Sequence, residues 1–194
     1  MKPRNRKAGV LISNSQRAVR VDRERLACLV RFVARAEGHR LGQLDLAVVG
    51  KGEIAGLNRR WLAHGGATDV LSFDLSGAGA SPARGGRGHA KRGARPGAGG
   101  GICAQLVVCG EVAREQARLR GLPAQRELML YVVHGLLHLM DYEDETIHGA
   151  AKMHAREEEL LRAFLVPRRP RGVRPRFPQS STRNPKSEMR GGRL

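Results

Sequence analysis

The stretch VVHGLLHLM, residues 132–140, constrains this chain more than any other. It closes an apolar helix read over about 124–140, which opens after Pro123. His134 and His138 lie four apart on it, and their neighbours Val132, Val133, Leu136, Leu137 and Leu139 are all apolar. With about 3.6 residues per turn, positions i and i+4 share a helix face, so two imidazoles can converge on one ion. Partial burial in such a helix disfavours the charged ring and leaves neutral imidazole, the form that ligates metal. The helix runs into an acidic loop holding Asp141, Glu143, Asp144 and Glu145. A catalytic zinc takes three protein ligands and keeps one position for water, and this loop can supply the third ligand. The residue after the first His is Gly135, so the general-base Glu of an HExxH metallopeptidase is missing, which argues against a peptidase of that type. Spacing alone leaves a pair of core histidines with satisfied hydrogen bonds as the open alternative.

Patterning along the rest of the chain predicts an α+β fold: a single small domain, with a mixed sheet of about four strands packed against about five helices. The metal site falls on a helix of the C-terminal half and the loop after it. Strands are expected at 10–13, 43–50, 68–75 and 102–109, from alternating or continuous apolar runs. Helices are expected at about 23–37, 52–62, 111–120, 124–140 and 146–165. Asp22 is placed to cap the first of them and Gly38 to end it. On the second, Ile54, Leu57, Trp61 and Leu62 share one face.

The formal net charge of +17 is unevenly placed. Residues 1–7 carry four Lys/Arg, residues 77–100 carry five, and residues 167–194 carry nine against the single acid Glu188. Together these segments hold the whole excess, and the remainder is electrically balanced. The chain therefore divides into a basic N-terminal arm at 1–8, a globular domain at 9–166 interrupted by a Gly/Arg-rich insertion at 77–100, and a basic tail at 167–194. Insertion and tail lack apolar periodicity and read as disordered. Three cysteines at irregular spacing fit a reducing compartment better than a disulfide framework. The apolar run after the basic N-terminus is too short for a signal peptide, and no run suits a membrane span. The expected location is the cytoplasm.

HGLLHLMDYED, residues 134–144, resembles the signature HGxLHLxGYDH of the YbeY family of bacterial endoribonucleases and ribosomal RNA maturation factors. TDVLSFD (68–74) resembles that family's second signature, TDVLSF, and LNRRWLAHGGATDV matches the spacing of the segment leading into it. QLVVCGEVAREQA (105–117) resembles the family's GDIVISxEVAxxQA, and a closing helix with Met153, Glu158 and Leu161 suits its last element. The resemblance implies one bound zinc ion and a zinc-dependent, single-strand-specific endoribonuclease. It would act in ribosomal RNA processing, 16S maturation and ribosome quality control, with RNA and the ribosome or its small subunit as partners and no membrane. A second reading is a non-catalytic RNA- or ribosome-associated assembly factor with an altered metal site.

The family's third ligand is a His six residues after the second, and here that position is Asp144, whose carboxylate is chemically competent for zinc. His148 is the competing third ligand. The family's Gly–Tyr–Asp is Asp141–Tyr142–Glu143 here, and the Arg it carries four residues after the Asn of its LN pair falls at Leu62. Arg59 or Arg60 would have to bind RNA in its place. The expected nucleophile is a metal-bound water, with Glu143 the candidate general base. Basic arms would add salt-sensitive, sequence-independent attraction to phosphate. The resemblance places the strand of Thr68 and Ser72 beside the metal, though each taken alone reads as a local hydrogen-bonding residue; Asp69 reads as a structural cap or turn acceptor.

Overall fold

In the computed structural model, the described residues are 9–62, 66–75, 82–83 and 101–166. Elements follow in the order β1 (Gly9–Asn14), α1 (Arg23–Ala36), β2 (Leu41–Val49), α2 (Lys51–Leu62), β3 (Val70–Asp74), β4 (Pro82–Ala83), β5 (Ile102–Cys109), α3 (Gly110–Arg120), α4 (Ala124–His138) and α5 (Ile147–Leu165). The strands form one mixed sheet in the order β1-β2-β5-β3-β4. β1, β2 and β5 are parallel, whereas β3 runs antiparallel to β5 and to the two-residue β4. This is the expected α+β fold, with four full strands and a short edge strand.

Of the segment read as an unstructured insertion, 77–100, the described residues are Pro82 and Ala83, and these pair with Phe73 and Ser72. Its other positions lie outside the described residues, as do the basic arm at 1–8 and the tail at 167–194.

The sheet has helices on both faces because its inner strands are apolar on both. On one face Leu44, Leu46 and Val48 of β2 and Ala104, Leu106 and Val108 of β5 pack with α1, α4 and α5 into the main core. On the other, Val49, Leu71, Val107 and Cys109 form a smaller cluster with Ile54 of α2. Asp22 caps α1 as expected, its carboxylate accepting from the Arg25 N–H at 2.9 Å. The α2 face departs from expectation at Trp61, which is 47% exposed and meets Phe73 edge to face.

α4 is the centre of the main core, and Gly135 sets how close it lies to the sheet. A Cβ there would stand 2.9 Å from Val70 Cγ2 and 3.0 Å from both Leu106 Cδ2 and Ser72 Oγ. The buried Ser72 hydroxyl donates to the Gly135 carbonyl at 3.1 Å, tying β3 to the helix between its two histidines. The residue that replaces a metallopeptidase glutamate is thus a packing requirement of this fold. Gly135→Ala gains about 1 kcal/mol of helix propensity but overpacks buried side chains, which costs roughly 1–3 kcal/mol. A net loss of stability is expected in urea unfolding, and a variant more stable than wild type would contradict this packing.

Candidate metal centre

α4 carries His134 and His138 on the face turned toward α5 and the loop that follows α4. Both are half-buried, and their Nε2 atoms lie 3.0 Å apart. The remaining ring nitrogens are engaged. His134 Nδ1 meets Glu157 Oε1 of α5 at 2.6 Å, and His138 Nδ1 meets the Tyr142 carbonyl at 3.2 Å. A carbonyl only accepts and an ionised carboxylate only accepts, so both Nδ1 atoms are the donors. Each neutral ring then presents an Nε2 lone pair, and the two lone pairs face each other. That arrangement is repulsive unless a cation, a proton or a metal ion, stands between them.

Asp144 completes the group. Its Oδ2 is 3.8 Å from His138 Nε2, and one ligand atom from each of His134, His138 and Asp144 lies within 4.8 Å of the others. Two imidazole nitrogens and one carboxylate oxygen suit a borderline divalent ion such as zinc, and Asp144 is exposed enough to leave a solvent side open.

The loop reaches this position through a tight turn. Tyr142 N–H donates to the Leu137 carbonyl at 3.1 Å across Asp141, which holds a left-handed φ of 65°. This is the six-to-one hydrogen bond of a Schellman helix stop, a place where glycine is favoured. Asp tolerates the left-handed region better than most side chains, so the turn survives the residue present here. The next helix then starts at Thr146, whose hydroxyl caps α5 by accepting from Gly149 N–H at 2.9 Å.

Charge tunes the two rings in opposite directions. For His134, burial lowers the affinity for a proton, but the Glu157 hydrogen bond and charge, with Asp69 and Asp144, outweigh it and raise the pKa. For His138, burial and the neighbouring His134 prevail over Asp144, and the pKa falls. Burial would raise Glu157, yet its bonds to His134 and to His154, the latter at 3.0 Å, hold it below the usual carboxylate range. Of the two rings, His134 therefore holds a proton the more tightly.

His148 lies exposed on the first turn of α5, outside the trio. Glu143 is an exposed loop residue. Arg59 and Arg60 are exposed on the last turn of α2, the helix on the opposite face of the sheet, with Arg60 over the Trp61 ring at 5.7 Å. The Thr68 hydroxyl and the Val70 N–H both donate to Asp69 Oδ1, a local cap at the start of β3. Sequence reasoning missed Glu157 and named Glu158 in the last helix only as part of the family resemblance. The buried residues of α5 are Met153, Glu157, Leu160 and Leu161, and Glu158 is exposed. An acid in helical register with three apolar residues was the available signal.

Fold and trio together define a small α+β protein with a candidate metal centre built from one helix and the loop after it. The sequence model of the endoribonuclease YbeY family matches residues 11–165. The protein named endoribonuclease YbeY from Acidothermus cellulolyticus is 37% identical over 156 residues, spanning 80% of this chain and 91% of that one. Its namesake from Beutenbergia cavernae is 32% identical over 156 residues, 80% and 97% of the two chains, and that from Renibacterium salmoninarum 32% over 158 residues, 78% and 90%. The chain belongs to the endoribonuclease YbeY family.

A raised His134 pKa means that protons compete with metal. Zinc affinity should climb with pH by up to about tenfold per unit and level off only above the His134 pKa. Glu157→Gln removes the charge that raises that pKa, so the levelling point should move to lower pH. The plateau affinity should drop by roughly 10–100-fold, because the ring loses its orienting carboxylate. An unmoved levelling point, read by chelator competition, would contradict the role given to Glu157.

Proposed function

We propose that this chain is a zinc-dependent, single-strand-specific endoribonuclease of ribosomal RNA processing, holding one ion on His134, His138 and Asp144. The observation that carries this reading is the pair of Nε2 atoms facing each other at 3.0 Å with both Nδ1 positions already taken. A donor set of that kind calls for a cation, and family membership supplies RNA as the substrate and phosphodiester hydrolysis as the reaction. Membership also favours the enzyme over a non-catalytic assembly factor. On this reading the chain acts in the cytoplasm, in 16S maturation and ribosome quality control, on RNA presented by the ribosome or its small subunit. No helix of the described residues is long and apolar enough to cross a membrane.

A bound divalent ion supplies Lewis acidity: it neutralises charge on a phosphoryl oxygen and eases the deprotonation of water. The protein's own part is orientation. Glu157 and the Tyr142 carbonyl fix the two rings with Nε2 inward, and Asp144 adds a negative charge on the solvent side. Glu143, in the same loop, is the candidate to take a proton from the attacking water. Arg59 and Arg60 attract phosphate on the far face of the sheet, and the basic arm, insertion and tail add a sequence-independent attraction that weakens with salt.

The test is cleavage of single-stranded RNA by purified protein and by variants. His134→Ala and His138→Ala should each lose stoichiometric zinc and activity, since two remaining ligands hold the ion poorly. Asp144→Ala should lower zinc affinity by a large factor, Asp144→His should keep or raise it, and His148→Ala should leave it unchanged. Zinc lost from His148→Ala but retained by Asp144→Ala would hand the third position to His148. Full activity in a chelator would refute the metal mechanism.

A further inference from the structure

Tyr142 reaches in two directions. Its backbone belongs to the candidate centre: the carbonyl accepts from His138 Nδ1–H at 3.2 Å, and the chain continues two residues on to Asp144. Its side chain leaves the loop. The phenol donates to Glu37 Oε2 at 3.0 Å, and Lys152 Nζ lies 5.9 Å from the ring centroid. Glu37 is the C-cap of α1, with only 10% of its side chain exposed. Its other oxygen, Oε1, accepts from Arg156 of α5, at 2.8 Å from Nε and 2.7 Å from the terminal guanidinium nitrogen. Arg156 also bonds Glu159 on its own helix at 2.5 Å. A continuous line of hydrogen bonds thus runs from α5 through Arg156 and Glu37 to the residue whose carbonyl orients a proposed ligand.

The loop needs such an anchor. Asp141, Glu143, Asp144 and Glu145 are all exposed acids within five residues, so burial of these side chains does not fix the segment. The turn at Asp141 sits in a left-handed conformation that Asp tolerates but that glycine adopts more readily. Neither feature holds Asp144 toward the histidines. Glu37 by itself would add a further negative charge beside these acids, and Arg156 compensates it while leaving an oxygen to receive the phenol.

We propose that Glu37 and Arg156 are positioning residues for the metal centre, acting through Tyr142. They clamp the loop after α4 so that the Tyr142 carbonyl keeps His138 with Nε2 inward and Asp144 stays within reach before any ion arrives. The inference rests on the reading of His134, His138 and Asp144 as the metal site. It adds that the geometry of this site is set by a contact between α1 and α5, elements that carry none of the three ligands.

The experiment uses the full chain with Tyr142→Phe, Glu37→Ala and the double variant. Tyr142→Phe removes one hydroxyl and leaves ring and backbone in place, so it keeps the test open should Glu37→Ala fold poorly. Zinc affinity is read by chelator competition, and the His138 ring is read by 15N shifts in the metal-free protein. Each single variant should bind zinc about tenfold more weakly, within the range of outer-shell partners of metal ligands. The double variant should be no weaker than Glu37→Ala, because both changes cut one line. The His138 ring should pass from a single Nδ1–H tautomer to a mixture. Unchanged affinity and an unchanged ring in both single variants would overturn the proposal, as would losses that add as independent effects. Wild-type protein that binds no zinc would instead defeat the metal reading, and the ring shifts would still decide whether Glu37 positions His138.

Discussion

The close approach of α4 to the sheet at Gly135 is the constraint on which the rest of the structure depends. With no side chain at that position, the helix backbone lies against Val70, Leu106 and Ser72, and the histidines on either side of the glycine are carried to a fixed height above β3. α1, α3 and α5 then pack around a helix that is nearly enclosed, and the two rings emerge at the rim of the core. Partial burial follows from this placement. So does the electrostatic problem of holding two imidazoles and several carboxylates close together.

That problem is solved by pairing each ring with a different kind of partner. His134 has a buried carboxylate behind it, so its charged form is favoured. His138 has only a neutral carbonyl at Nδ1, too little to offset burial and the neighbouring His134, so its charged form is disfavoured. A centre of this kind exchanges a proton for a metal ion at little cost in rearrangement, because the rings already point inward. The acids of the loop add negative charge that favours a cation, while Glu37 with Arg156 restrains the segment that bears them.

Much of this was legible in the sequence because it is local. Two histidines four apart on one helix must share a face, and a carboxylate six residues later can fold back only if the helix stops between them. The strand and helix positions read from the apolar patterning likewise agree with the structure to within a few residues, whereas helix cover on both faces of the sheet emerged only from the fold. What escaped depends on pairings distant in the chain. Glu157 went unnoticed although it is in helical register with Met153 and Leu161, because nothing near His134 in the chain points to it. Glu37 and Arg156 meet across 119 positions, which no periodicity encodes. Trp61 was placed on the buried face of α2 by spacing alone, but it sits in the last turn of the helix and is half exposed.

The central claim is that one ion is held by two imidazole nitrogens and one carboxylate oxygen of this chain. X-ray absorption at the zinc edge of the loaded protein measures that directly. The account predicts a shell of nitrogen and oxygen at about 2.0–2.1 Å with outer scattering from two imidazole rings, and loss of that bound-zinc signal in His138→Ala protein. A spectrum without imidazole scattering, or one unchanged by that substitution, would contradict it.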